Sequence, residues 1–344
     1  MALRFIDSFA HYGSTYANAK WTDVFLVSYN GTNGPRGNPV IQGPGNLLKT
    51  LTHQTRYIQG ARIKHNESRG DSLALLNNGS TIAKLTMNSD STMSVVAGTV
   101  RIGTSPIAVA DPTSWHYYEM DAIVGANGGG TVTLTASIRV DGASFGSFSG
   151  TSGISTAGLI DNAATVNQVG FLLNTNAVCD YYCIDTAGTD MYGNATTLTT
   201  FLSDVEIDAL FPAADVTNNW SQVGGTTGTY FTSVNDNPPD ADTSYVYTTS
   251  TGSVQSFNYQ PLSGFTGTIL GLQYLTFDRK TDEGTRVIAM TVGSNTCTTI
   301  EFLGTKNYLS DFYVYYIAPL DTDFNTAWTT DVYNAATFGI KLLS

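Results

Sequence analysis

Residues 115–142 read WHYYEMDAIVGANGGGTVTLTASIRVDG, and this stretch decides the fold. It spells two runs of alternating polarity joined by a Gly/Asn-rich turn, the second closing in Val140-Asp141-Gly142. Strand side chains alternate with period two. Trp115, Tyr117, Glu119, Asp121 and Ile123 therefore share one face of the first run, while His116, Tyr118, Met120, Ala122 and Val124 share the other. In the second run Val132, Leu134, Ala136, Ile138 and Val140 form an apolar face opposed by Thr131, Thr133, Thr135, Ser137 and Arg139. A hairpin this long and this regular belongs in the middle of a sheet.

Working outward, LLKTLT (47–52), TRYIQGARIKH (55–65), SLALLNN (72–78), TIAKLTM (81–87), STMSVVAG (91–98) and TVRIGT (99–104) are short strands with polar breaks. Their spacing is that of a meandering sandwich. RFIDSF (4–9) and DVFLVSY (23–29) read as two earlier strands, VNQVGFLLNT (166–175) and AVCDYYCIDTAG (177–188) as two later ones. Residues 30–46 and 141–153 are rich in Gly, Asn, Ser and Pro and read as loops; FLSDVEIDALFP (201–212) reads as a strand or short helical turn closed by Pro212. The Gly-rich stretch beyond it places a boundary that divides the chain into a first β-sandwich, 1–212, and a second, 213–344. In the tail, TTDVYNAATFGIKLL predicts one short helical turn with Asp331 near its start and Gly339 as its stop.

Composition agrees with an all-β protein of two domains: 344 residues, 13% charged, 42% hydrophobic, with 34 Gly. A net charge of −12 with no basic run opposes nucleic-acid binding, because the phosphate contacts that drive it are missing. No window approaches the roughly 20 apolar residues of a membrane span, and MALRFIDSFAHYG lacks the apolar core of a signal peptide, so a protein made in a cytoplasm is expected. Cys179, Cys183 and Cys297 are an odd number. Four residues of straight strand span about 13 Å, too far for a Cys179–Cys183 disulfide, and all three read as small buried hydrophobes.

WHYYEMDAIV (115–124), TLTASIRVDG (133–142) and VCDYYCIDTAG (178–188) together resemble the laminin-G-like, concanavalin-A-like lectin domain, a jelly roll shared by lectins, enzymes and adhesive modules. The second half adds Asn219-Trp220, NDNPPDADTSYVYT (235–248), the Lys280–Arg286 stretch KTDEGTR and the tail AWTTDVYNAATFGIKLL (327–343). With these the whole chain resembles structural proteins of tailed bacteriophages. That resemblance implies a non-enzymatic virion protein, a capsid, neck or tail decoration, spike or fibre component, assembled in the host cytoplasm. The partners it implies are other virion proteins and copies of itself, with a host-surface glycan as the alternative ligand.

Glycosidases on this jelly roll carry Glu-x-Asp-x-Glu on one strand, which sets a nucleophile and an acid roughly 5 Å apart. Glu119-Met120-Asp121 and Glu206-Ile207-Asp208 each begin that motif, but Ile123 and Leu210 stand where the third carboxylate belongs. Both pairs therefore read as structural carboxylates, no catalytic residue is assigned, and a depolymerase is the least favoured reading. No cofactor is expected. The carboxylate-dense turns Asp185–Asp190 and Asn235–Asp242 would suit calcium alone, and they lack an ordered ligand spacing. His11, His53, His65 and His116 lie near no nucleophile signature, and the run Phe312-Tyr313-Val314-Tyr315-Tyr316 places aromatics on both faces of one strand, for a core or a subunit interface.

Overall fold

The computed structural model describes residues 2–344 apart from 12–16, 68, 186–197, 199, 282–284, 303–313, 321 and 324–325. The described residues divide into two compact units that meet in the chain at Asp208 and Ala209, and both are built of strands.

The first unit runs β1 (Ala2–Asp7), α1 (Ala17–Lys20), β2 (Asp23–Phe25), β3 (Ser28–Asn30), β4 (Val40–Gln54), β5 (Arg56–Lys64), β6 (Gly70–Asn77), β7 (Ser80–Met87), β8 (Thr92–Ala97), β9 (Val100–Ala108), β10 (His116–Ala126), β11 (Thr131–Val140), β12 (Ala143–Ser155) and β13 (Val166–Asp185). One antiparallel path, β12-β11-β10-β5-β13-β6-β7-β8-β9, carries most of it. The sheet bends at β13, whose first half pairs with β4 and β6 and whose second half pairs with β5 and β1. The ends of the path come back together, with the Phe148 ring over Gly103 and Ile102 over Gly150, which makes a two-layered jelly-roll-like sandwich.

The opening hairpin sits where its pattern put it. Met120 faces Ile138, Ala122 faces Ala136 and Val124 faces Leu134, all buried. In the other layer Leu75, Ala83 and Ala97 line up across three strands, followed by Leu85 with Val95 and Met87 with Met93. These apolar faces form the core, and burying each large side chain is worth about 1.5–3 kcal/mol. A polar knot pins β1 to the segment after it. The buried Asp7 carboxylate accepts from the Trp21 indole Nε1 at 2.6 Å, the Phe9 amide at 2.8 Å and the Lys20 ammonium at 3.1 Å.

Several expectations need correction. Residues 40–46 are not loop but the start of β4, where Gly45 lies so close to Phe25 and Leu26 that a Cβ would strike their backbone. Glycine there is a close-approach residue rather than a breaker. DVFLVSY is two short strands, β2 and β3, split at Leu26, which takes φ +54°. Residues 143–155 are the edge strand β12; their Ser and Gly content reflects an exposed face, where Ser149 and Ser147 hydroxyls meet Thr135 and Ser137, each at 3.0 Å. The two strands expected after it are one bent strand, β13. Leu202–Phe211 form neither helix nor strand.

The second unit contains β14 (Pro212–Asn218), β15 (Ser221–Val223), β16 (Tyr245–Tyr247), β17 (Val254–Tyr259), β18 (Leu272–Asp278), β19 (Arg286–Val292), β20 (Asn295–Phe302), β21 (Val314–Leu320), β22 (Thr322–Asp323), β23 (Thr326–Ala327), α2 (Thr330–Ala335) and β24 (Phe338–Leu342). Its main sheet is ordered β14-β17-β24-β19-β20, with the pairs β15–β16, β18–β21 and β22–β23 beside it. Tyr274, Met290, Val292, Cys297, Trp328, Tyr333 and Phe338 make its core. The tail does form a short helix, capped by Thr329 and with Asp331 in its first turn. Gly339 does not end that helix. It lies inside β24, packed so tightly between β17 and β19 that a Cβ would come within 2.8 Å of the Gln255 carbonyl.

Candidate functional site

The outward face of β10 is not a solvent face. Glu119 lies opposite Arg139 of β11 on one side and Gly60 of β5 on the other, and Tyr182 of β13 lies opposite Gly60 in turn. A Cβ on Gly60 would run into the Tyr182 ring and come within 3.0 Å of the Tyr117 ring and 3.1 Å of Glu119 Cγ. The missing side chain lets Tyr182 lean across β5 and donate its hydroxyl proton to Glu119 Oε1 at 2.5 Å. Tyr117 and Tyr182 lie nearly parallel, 6.4 Å between centroids and 8° between planes.

Over this face runs a strap of the same unit, Leu198 and Thr200–Asp208. Leu198, Phe201, Leu202 and Val205 cover Leu3, Ile58, Tyr117, Tyr182 and Ile184. The Ser203 amide donates to Glu119 Oε1 at 2.8 Å and the Leu202 amide to the Tyr182 hydroxyl at 3.2 Å. Ser203 takes φ +67°, a conformation that disfavours any side chain, to aim that amide. The Phe201 ring lies under the Arg139 guanidinium at 4.7 Å.

At the other end of the face, β13 bulges between Cys179 and Tyr182, with Asp180 at φ +50°. The buried Asp180 carboxylate pairs with Arg62 at 3.2 Å and Arg36 at 3.4 Å, and accepts from the Ile207 amide at 3.3 Å. Each arginine holds a second carboxylate from the strap: Arg62 pairs with Asp204 at 2.6 Å and Arg36 with Glu206 at 2.9 Å. Arg62 also lies over the Tyr117 ring, whose hydroxyl donates to the Asp180 carbonyl.

Burial dominates the electrostatics. It raises the Glu119 carboxyl, opposed by the bonds from Tyr182 and Ser203, and raises Asp180, opposed by Arg36 and Arg62. It also lifts the Tyr117 and Tyr182 phenols well above their ordinary value, so both stay protonated. Glu119 Oε2 is buried with no hydrogen-bond partner among the described residues. As placed, Glu119 and Tyr182 clamp a segment of their own chain.

The other sequence candidates fall as follows. Asp121 points the same way as Glu119 but is engaged by Arg56 through two bonds, 2.8 and 2.7 Å. Glu206 is the strap's partner for Arg36, so the structure brings Glu119, Asp121 and Glu206 to the same face. Asp185 is buried against Arg4 at 2.6 Å, while 186–190 lie outside the described residues. In 235–242, Asp236 and Asp240 both reach the Ser244 hydroxyl at 2.9 Å and Asp242 pairs with Arg279. Among the described residues no group of three or more His, Cys, Asp or Glu side chains is placed to hold a metal ion.

His116 lies between Asp141 Oδ2 at 2.6 Å and the Asp111 carbonyl at 3.1 Å, and His53 lies 3.1 Å from the Thr165 hydroxyl. Burial lowers His65 to about 4, where it packs edge-on to Tyr118, and lowers His11 to about 3. The three cysteines are free and buried. The side chains of the 312–316 run lie outside the described residues. Sequence reasoning missed Arg36, Arg62, Asp180 and the strap itself; the one local signal is the alternation of Asp204 and Glu206 with apolar neighbours.

No family model matches the chain, and no curated protein sequence matches it. Among solved structures, the chain is similar to a PL-14 alginate lyase from Aplysia kurodai at 6% identity, over 54% of this chain and 100% of that one, with a TM-score of 0.38. It is similar to a galectin from Caenorhabditis elegans at 9% identity, over 42% and 93%, with a TM-score of 0.27. Peanut lectin is similar at 10% identity, over 53% and 100%, again with a TM-score of 0.27. The all-β description above rests on this chain's own strands.

Proposed function

We propose that the protein is a non-enzymatic structural protein of a tailed-phage particle, two β-sandwich units that work by assembly and display. The observation that carries this reading is what the sheet edge offers. Among the described residues β2 and β3 pair only with β4, and there Phe25 is 57% and Leu26 65% exposed, large apolar groups at the edge of the sheet. Edges are normally blunted by charge, so an apolar one is suited to a neighbouring subunit. The committed state of Glu119, Asp121 and Glu206 supports a role without catalysis. Its partners would be other virion proteins and further copies of the chain, in the virion. Mass spectrometry of purified particles and sedimentation of the purified protein test this. Absence from particles together with a monomer at all concentrations would overturn it.

A second reading, glycan recognition on a host surface, is favoured by the exposed hydroxyl strip of β11 and β12, where Thr135, Ser137, Ser147 and Ser149 lie in register beside Arg139. A glycan array with no bound glycan would count against it.

A further inference from the structure

The face under the strap gathers three arginines, Arg36, Arg62 and Arg139, in a chain whose Asp and Glu outnumber its Lys and Arg by 28 to 16. Each is met by the strap: Arg36 by Glu206, Arg62 by Asp204, Arg139 by the Phe201 ring. We propose that the strap is a tethered stand-in for an acidic glycan, and that Arg36, Arg62 and Arg139 with the paired Tyr117 and Tyr182 rings form a surface that binds a uronate-bearing polysaccharide when the strap leaves. This deepens the glycan-recognition reading and rests on it.

Four observations carry the inference. Guanidinium forks match carboxylates in shape and charge, and two of the three already hold strap carboxylates at 2.6 and 2.9 Å. Those carboxylates are half in solvent, Asp204 at 50% and Glu206 at 54%, so the pairs are screened and exchangeable. The strap adds no strand to the sheet. Leu202, Ser203 and Ile207 each tie its backbone to the face through one amide, Ser203 at a positive φ. Lastly, its departure removes the Asp204 and Glu206 carboxylates that meet the arginines and leaves three guanidiniums against Asp180 and Glu119, which turns the face positive. The parallel pair of tyrosine rings suits a sugar ring.

The probes are polygalacturonate for the carboxylate polymer, dextran sulfate for a sulfated one and dextran for a neutral one, at physiological ionic strength of about 0.15 M. Two variants release the strap by different means. Ser203→Pro removes the amide that Glu119 receives and cannot adopt the positive φ. Asp204→Asn with Glu206→Gln removes both exposed ion pairs and leaves the covered apolar contacts in place. Hydrogen exchange at the Leu202 and Ile207 amides reports release. The expected result is that both variants lose protection there and bind polygalacturonate about tenfold or more tighter than wild type, with dextran unbound. Arg62→Gln on the released background should abolish the gain.

Any of five results would overturn the proposal. A strap still protected in both variants denies displaceable occupancy. Released variants no tighter for polygalacturonate deny the ligand, and a gain that survives Arg62→Gln, or is larger for dextran sulfate, denies the site. Binding of neutral glycans alone would sink this inference and leave the glycan-recognition reading standing.

Discussion

The Tyr182 hydroxyl donates a hydrogen bond to Glu119 across Gly60, a bond that exists because the residue between them has no side chain. Gly60→Ala should therefore be destabilising by about 1–3 kcal/mol, as overpacking in a closed site is. Tyr182→Phe should cost about 1–3 kcal/mol by leaving Glu119 short of a donor. Urea unfolding of the two variants and their combination checks this, and the combined loss should fall short of the sum because both act on one bond.

The polar knot at Asp7 gives a second expectation. Lys20 is buried, and burial lowers its ammonium to about 8 against the pull of Asp7. Lys20→Met at neutral pH leaves the Asp7 carboxylate without its cation, and a loss of about 3–5 kcal/mol is expected. Because the folded ammonium is depressed, its burial cost is present below about pH 8 and relieved above it. The gap between variant and wild type in thermal unfolding should accordingly widen as pH rises from about 8 towards the unfolded value of 10.5.

Asp278 in the second unit makes the opposite prediction. Burial raises its carboxyl to about 6, and its Oδ2 has no partner among the described residues. A carboxyl raised on folding contributes stability that is complete below its unfolded value of 3.8 and lost as pH rises through about 6. Asp278→Asn should match wild type near the lower limit and gain on it as pH rises through that window. A constant difference in melting temperature across the window would contradict this.

Asp141 ends the opening hairpin at φ +48° and ties that end to the start of its first strand: Oδ1 accepts from the Tyr117 amide at 2.8 Å and Oδ2 lies 2.6 Å from His116 Nδ1. Asp141→Ala loses both bonds and the tolerance of a positive φ, so about 1–3 kcal/mol of destabilisation is expected in urea. Asp141→Gly should lose the bonds but keep the turn, and suffer less.

The hairpin was legible because one face of its second strand, Val132 to Val140, is wholly apolar and period two admits no other arrangement. The strap was not, since Leu198, Phe201, Leu202 and Val205 follow no period; they fit the hollow of a sheet whose shape depends on strands far away in sequence. The alternation of Tyr117, Glu119, Asp121 and Ile123 carries no sign of what covers it, and half of that face lies under residues more than 70 positions later. β12 hid behind Ser and Gly because an edge strand with an exposed face needs few apolar residues. Gly339 misled for a related reason: its bare Cα serves the close approach of two neighbouring strands, and sequence alone ties such a glycine to a turn.

β13 belongs to both layers of the first sandwich, with β4 and β6 on one half and β5 and β1 on the other. Neither layer can fray from the other without breaking this one strand. Amides along its whole length should exchange only through global unfolding, so that the sandwich melts as a single cooperative block, while a short edge strand such as β2 opens on its own.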